Sequence, residues 1–260
     1  MTKSSAKTIK IITIDGPSGS GKSTAACKLA QRLGFAHLDT GAMYRAVTFQ
    51  ALQEGLNLRD SAELVDLAKG IDLDLVPTAH GTEVTICGQD VTELIRTVEV
   101  TENAHFVASR RGVRDEMVKR QRKLATKLTP LVAEGRDQGT VVFPHAQVKF
   151  FLDADPATRA QRRYQQLQRS GQAVTYDQVL AGIQTRDARD SSRPTAPLEV
   201  PAGAIVIDTT NMSVSQMVDE LVRHVRRIRS ILDQGQSKQC VITTSYLIDS
   251  GTALGTGFAK

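Results

Sequence analysis

The 260-residue sequence contains no tryptophan, and aromatic residues make up only 4% of it. None interleaves its most basic run, which argues against a surface that binds single strands by stacking their bases. Its three cysteines, Cys27, Cys87 and Cys240, are far apart and form no C-x-x-C pair. That spacing speaks against a disulfide frame or a zinc site and for reduced, intracellular thiols. No apolar stretch approaches the ~20 residues needed to cross a bilayer, and residues 1–10 lack the apolar centre of a signal peptide. A cytoplasmic protein without membrane contact is expected. No [NT]-K-x-D occurs to read guanine, and there is no internal repeat or low-complexity tract.

The sequence does have an excess of positive charge, +5 net with a pI near 9.2. Fifteen of the 33 Lys and Arg residues fall in two windows, eight in 110–127 and seven in 159–193. Such clustering suggests anionic partners, either nucleic acid or small phosphorylated ligands. At 40% hydrophobic and 23% charged the composition is otherwise that of an ordinary globular protein, long enough to bury a substantial core.

One stretch organises the rest. Gly16, Pro17, Ser18, Gly19, Ser20, Gly21, Lys22 and Ser23, followed by Thr24, match the phosphate-loop pattern G-x-x-x-x-G-K-[ST] at every fixed position. The β-branched run Ile9, Ile11, Ile12 and Ile14 before it reads as a buried strand, and residues 25–33 after it read as a helix stopped by Gly34. Strand, glycine-rich turn and helix present backbone N–H groups and a helix N-terminus to an anion. Lys22 would reach the β- and γ-phosphates of a nucleoside triphosphate, and the Ser23 hydroxyl would hold Mg²⁺.

Further along, residues 35–38 read as a second strand and 42–54 as a helix with Tyr44 and Arg45 near its start. This is a second phosphate site or an ordinary cap at Asp39 or Thr40 beside a solvated arginine. A short helix over 61–69 is followed by alternating runs at 71–76 and 83–87, a hairpin that interrupts the strand–helix rhythm and marks an inserted subdomain. A long helix is predicted over 92–127, broken near Arg111 and Gly112. Residues 131–134 form a third core strand, with Gly135, Arg136 and Asp137 just beyond its end, where open α/β sheets bind ligands. Strand 148–152 leads to a helix capped by Asp155 with Pro156 at its first position. A helix over 176–185 then runs into a flexible arginine-rich segment, 186–193. Strand 204–207 and helix 213–232 close a doubly wound five-stranded parallel sheet of α/β class.

Arginines thus occur at four separated places, Arg45, Arg136, Arg159 to Arg163, and Arg186 to Arg193. A phosphate monoester acceptor needs no general base, but two unit charges at ~4 Å repel by roughly 4 kcal/mol at an effective dielectric of ~20. Converging guanidiniums would offset this and stabilise the transferring group, which suits phosphate-to-phosphate transfer.

Four motifs resemble bacterial cytidylate kinases: Ile-Asp-Gly-Pro-Ser-Gly-Ser-Gly-Lys-Ser-Thr at 14–24, Leu-Asp-Thr-Gly-Ala-Met-Tyr-Arg at 38–45, Gly-Arg-Asp-Gln-Gly-Thr-Val-Val-Phe-Pro at 135–144, and Arg-Asp-Ala-Arg-Asp-Ser-Ser-Arg at 186–193. The likeness spans about residues 10–231. It implies transfer of the ATP γ-phosphate to CMP or dCMP with Mg²⁺ at Ser23, by a protein that acts as a monomer without nucleic acid. By resemblance, Gly16 to Thr24 hold ATP, and Thr40, Arg45, Arg136 and Arg193 hold the acceptor phosphate. Arg114 and Asp137 read cytosine, Arg186 and Asp190 lie near the sugar, and Arg159, Arg162 and Arg163 belong to a mobile lid. Lys22, Arg136, the lid arginines and Arg193 are then the catalytic set. His105 stands where the family commonly has a serine near the base, and Gln138 where methionine is usual. The implied organisation is a kinase domain over 8–234, with a monophosphate-binding insertion at about 40–128 and a helical lid at about 155–193. A poorly ordered tail, 235–260, follows. The readings left beside this one are a monophosphate kinase for another base such as UMP, and a nucleic-acid-binding ATPase.

Overall fold

A computed structural model describes residues 9–78, 81–169 and 171–234. Strand β1 (Ile11–Asp15) passes through the glycine-rich turn into helix α1 (Lys22–Leu33), followed by β2 (Ala36–Asp39), α2 (Thr40–Gln53) and α3 (Ser61–Gly70). An antiparallel group comes next: β3 (Leu73–Thr78), β4 (Gly81–Ile86) and the short β5 (Gln89–Asp90). Helices α4 (Val98–Ala108) and α5 (Arg111–Leu128) lead back to β6 (Leu131–Gly135), β7 (Val148–Asp153), α6 (Pro156–Arg169) and α7 (Tyr176–Ser192). The described chain closes with β8 (Ile205–Asp208) and α8 (Val214–Asp233).

The main sheet has five parallel strands in the order β2-β6-β1-β7-β8, so β1 is central. Both of its faces are covered, which is why the strands are nearly continuous apolar runs. Ile12, Ile14, Phe150 and Leu152 pack under α1 and α8 with Leu29 and Leu221. On the other face Leu38, Leu131 and Ala133 pack with Met43, Val47, Leu64 and Met117 from α2, α3 and α5. Asp15 is in register with Gly135 on one side and Phe151 on the other. The phosphate loop and the Arg136–Asp137 turn therefore leave the sheet side by side.

Several predicted boundaries move. The long helix expected over 92–127 is a turn of 3₁₀ helix at Leu94–Arg96 and two separate helices, with the break at Ser109 and Arg110. Gly112 does not break the helix: it lies inside α5 against α3, where an added Cβ would come within 2.6 Å of Val65 Cγ2. The glycine is there for close helix approach. Residues 186–192, expected to be flexible, continue α7, which starts at a Thr175–Gln178 capping box, tolerates Gly182 in its interior and meets no proline before Pro194. Helices α1 and α2 begin earlier than expected, at Lys22 and Thr40. The expected hairpin is present, with β5 added to it.

Among the described residues no helix is long and apolar enough to cross a membrane, and Cys27 and Cys87 are free thiols. Cys240 and the tail at 235–260 lie outside the described residues.

Candidate functional site

The phosphate loop is shaped by glycines with no substitute. A Cβ on Gly16 would collide with the Leu152 carbonyl oxygen, and Gly21, the residue before α1, has φ of 86°. The loop closes on the Pro17 carbonyl, which accepts from Ser20 Oγ at 3.1 Å and from Lys22 Nζ at 3.2 Å. Burial and the nearby Arg136 charge lower the Lys22 pKa to about 7, with Glu134 partly opposing them. Ser23 and Thr24 are open to solvent at the start of α1. Ser23 Oγ donates to Glu134 Oε2 at 2.6 Å, and Glu134 Oε1 lies 3.2 Å from His37 Nε2.

Beside it stands the N-terminus of α2. Asp39 caps the helix by accepting from Ala42 N at 3.0 Å, and its other oxygen takes Arg45 Nη2 at 2.9 Å. Burial works to raise the Asp39 pKa, but the Arg45 guanidinium holds it below its ordinary value. The capping reading of this segment is thus present in the structure, and Arg45 is paired rather than solvated. The Thr40 hydroxyl is buried, donating to Glu134 O at 2.7 Å and accepting from Gln138 Nε2 at 3.2 Å. Its single proton is spent on the main chain, so in this conformation Thr40 can offer an anion only its backbone N–H. Gln138 is not an idle replacement, since its amide also meets Gln121 Oε1 at 3.3 Å.

The turn that carries Arg136 and Asp137 is tied to β1. Asp15 accepts from Gln138 N at 2.9 Å and Gly139 N at 2.7 Å. Burial still pushes its pKa up to about 7 against those two bonds. Arg136 Nε donates to Asp190 Oδ2 on α7 at 2.9 Å. Arg186, one turn earlier, is open to solvent, yet the protein around it and the charges of Arg136, Arg45 and Arg163 lower its pKa to about 10. Its charge is also felt by Lys22. Lys22, Arg45, Arg136, Arg163 and Arg186 are thus gathered at one end of the sheet.

The other lid arginines are engaged elsewhere. Arg159 is buried, bonded to Ala154 O at 2.8 Å, Ser18 O at 3.1 Å and Asp187 at 2.7 Å, so it locks α6 to both the phosphate loop and α7. Arg162 turns to the segment after β8, donating to Thr209 O at 2.6 Å. Arg163 reaches Gln166 within its own helix and, partly buried, has a lowered pKa.

Further out, Arg114 and Asp137 form a buried ion pair; Arg114 also donates to Ala108 O at 3.1 Å and lies 5.4 Å from the Tyr44 ring centroid. Arg193 donates to Ala196 O, and its charge is felt together with Arg114, Asp137 and Asp190. A cavity of about 240 Å³ opens between α4 and the end of α7, lined by His105, Ser109, Arg189, Asp190, Ser192 and Arg193. It falls short of the ~300 Å³ usual for a whole ligand but is large enough for part of one. His105 Nδ1 itself is bonded to Glu102 O at 2.6 Å.

The residues missed from sequence are polar partners of the cations and the loop, Glu134, Asp15, Gln121 and His37, whereas Asp39 is expected there only as the cap of α2. Glu134 carried a usable signal, a carboxylate ending the strand next to β1, by the rule that singled out Arg136. Among the described residues no group of three or more His, Cys, Asp or Glu side chains is set to hold a metal ion.

A family model described as cytidylate kinase matches residues 12–227. The chain is 45% identical over 217 residues to a cytidylate kinase of Mannheimia succiniciproducens, covering 84% of this chain and 96% of that protein. It is 45% identical over 220 residues to one from Caldanaerobacter subterraneus subsp. tengcongensis, covering 85% and 96%. It is 43% identical over 216 residues to one from Bacillus subtilis, covering 83% and 96%. A match over nearly the whole described fold, together with a phosphate loop at the C-terminal end of the central strand of a five-stranded parallel sheet, means that this chain belongs to the cytidylate kinase family.

Proposed function

We propose that the chain transfers the γ-phosphate of ATP to CMP or dCMP, giving ADP and CDP or dCDP. The observation that carries this reading is the gathering of Lys22, Arg45, Arg136, Arg163 and Arg186 at one end of the sheet, five cations against three near counter-charges, Asp39, Glu134 and Asp190. Cations held this close repel one another until anions arrive, and two facing phosphates are the anions that need them. Lys22 leaves the Pro17 carbonyl for the β- and γ-phosphates, and Arg136 spans donor and acceptor. Arg45 and Arg193 hold the acceptor phosphate, while Arg114 and Asp137 take the base and Asp190 with Arg186 the sugar.

Mg²⁺ fits the oxygen donors here. The Ser23 hydroxyl and the Glu134 carboxylate lie together beside the loop, and a magnesium ion that takes most of its shell from phosphates and water needs no three-carboxylate cage. When bound it neutralises phosphate charge. Residues 40–128 act as the acceptor-binding insertion and 155–193 as a lid on a kinase domain spanning 8–234. Lid closure excludes water, the competing acceptor.

The test is a panel of CMP, dCMP, UMP, AMP and GMP with fixed ATP. Cytidine nucleotides should be phosphorylated with the highest kcat/KM. A preference for UMP would overturn the base assignment, and ATP hydrolysis without any acceptor product would overturn the kinase reading.

A further inference from the structure

Glu134 is held by both oxygens. Oε2 accepts the Ser23 hydroxyl at 2.6 Å, while Oε1 lies 3.2 Å from His37 Nε2 on the adjacent strand β2. The His37 side chain is only 8% exposed, and its Nδ1 is buried with no hydrogen-bond partner among the described residues. That pairing fixes the tautomer. The nitrogen facing a carboxylate oxygen must carry a hydrogen, and a neutral ring with its hydrogen on Nε2 leaves Nδ1 a bare lone pair. The alternative ring, with hydrogen on Nδ1, would bury an unmade donor and set two lone pairs against each other, which costs more.

We infer that His37 is a positioning residue: as the Nε2–H tautomer it clamps one oxygen of Glu134 so that the other is presented to Ser23 and to the magnesium ion of the nucleotide, an inference that rests on the function proposed above. Glutamate has three torsions to fix, and Glu134 lies close enough to Lys22 to act on its charge. An unclamped carboxylate would be free to rotate away from Ser23 and the magnesium position, while Lys22 stays with the phosphates. The clamp is itself anchored, because the His37 carbonyl accepts from Thr82 Oγ1 of β4 at 3.2 Å. The insertion thus sets where the ring stands. Groups one shell out from a metal ligand act on affinity in this way, typically by ten- to a hundredfold.

The experiment measures ATP affinity by calorimetry with and without Mg²⁺ in the full chain, its His37→Leu variant and its His37→Gln variant. The gain on adding Mg²⁺ should shrink by about tenfold in His37→Leu, with Mg²⁺-free ATP affinity unchanged. It should return in His37→Gln, whose Nε2 amide can reach the same oxygen. Equal losses with and without Mg²⁺ would mean a packing role and overturn the inference, as would a full gain in His37→Leu. No gain in the unmodified chain would overturn the nucleotide-site reading itself. If His37→Leu fails to fold, ¹⁵N spectroscopy of the unmodified, metal-free protein decides: a proton on Nε2 of His37 supports the clamp, and one on Nδ1 alone overturns it.

Discussion

Arg136 at the end of β6 and Asp190 on α7 are joined by a hydrogen bond of 2.9 Å from Nε to Oδ2. The bond ties the C-terminal end of β6, beside the phosphate loop, to the helix that carries Arg186. Asp190 is held ionised below its ordinary pKa by Arg136 against the opposing effect of burial. One carboxylate thus orients a guanidinium whose Nη1 donates to Gly135 O at 3.2 Å, and among the described residues its Nη2 has no hydrogen-bond partner.

Replacing Arg136 with Lys keeps the charge but removes the planar fork and the Nε donor that fixes its direction. If Arg136 acts on the transferring phosphoryl group, kcat should fall by about a hundredfold or more. KM for ATP should change little, because Lys22 and the loop remain. Steady-state kinetics with both substrates varied would show this; a change confined to KM for CMP would reduce Arg136 to a binding residue.

Lys22 offers a proton-linkage test. Its pKa of about 7 reflects burial first and Arg136 second, in a loop without phosphate. A bound triphosphate restores the charged form. ATP binding at pH 8 should therefore take up a proton, and at pH 6, where Lys22 is already charged, it should not. Calorimetry in buffers of different ionisation enthalpy reads the uptake, and Lys22→Met should abolish it. The same shift bears on stability. Between about pH 7 and the unfolded value of 10.5 the unfolded chain binds more protons, so this group makes the free protein more stable as pH rises through that window.

Asp15 has the opposite slope. Burial raises its pKa from 3.8 to about 7, so between those values the folded chain binds more protons and stability from this group falls as pH rises. Asp15→Asn keeps the shape but replaces one acceptor of the Gln138 and Gly139 N–H groups with a donor. An unmade buried bond of this kind costs about 1–3 kcal/mol. Urea denaturation at pH 5 and pH 8 should show the variant less stable, with the Asp15 part of the pH dependence gone.

The sheet, the insertion and the phosphate loop were legible because each rests on a local pattern: β-branched runs, period-two alternation at 71–76, and glycines at fixed spacing. Gly112 and residues 186–192 were misread because their roles are set by distant partners. Gly112 answers to Val65 on another helix, and α7 is held to Ser192 by ion pairs with Arg136 and Arg159 that no local window contains. The site shows the same division. Its cations stood out in sequence, Lys22 by its motif, Arg45 and Arg136 by their places at a helix start and a strand end, Arg163 and Arg186 by a basic window, whereas Glu134, Asp15 and His37 sit within strand patterns and look like ordinary residues until the parallel register sets them beside the loop. Arg159, Arg162 and Arg163 look alike in sequence, and only the folded chain separates the two bonded to other segments from Arg163, which reaches Gln166 on its own helix and whose charge acts on Arg186.

Arg114 and Asp137 give the sharpest test of base recognition. They are buried against each other, so removing the carboxylate outright would leave a buried unpaired guanidinium and cost about 3–5 kcal/mol. Asp137→Asn is the better probe: it keeps the volume and one oxygen for Arg114, but puts an NH₂ where Asp137 had a second acceptor. Cytosine presents an N4 amino donor at the position where uracil presents an O4 acceptor. A carboxylate that reads this edge accepts from cytosine and repels uracil, and the amide can turn its donor to uracil instead. The variant should raise KM for CMP by about tenfold or more, on the ~1–3 kcal/mol scale of a base-edge contact, and lower KM for UMP. KM for ATP should stay put. Should KM for ATP and CMP rise together, Asp137 would be bracing Arg114 and the turn tied to Asp15, and the reading of the base would have to come from the cavity at His105.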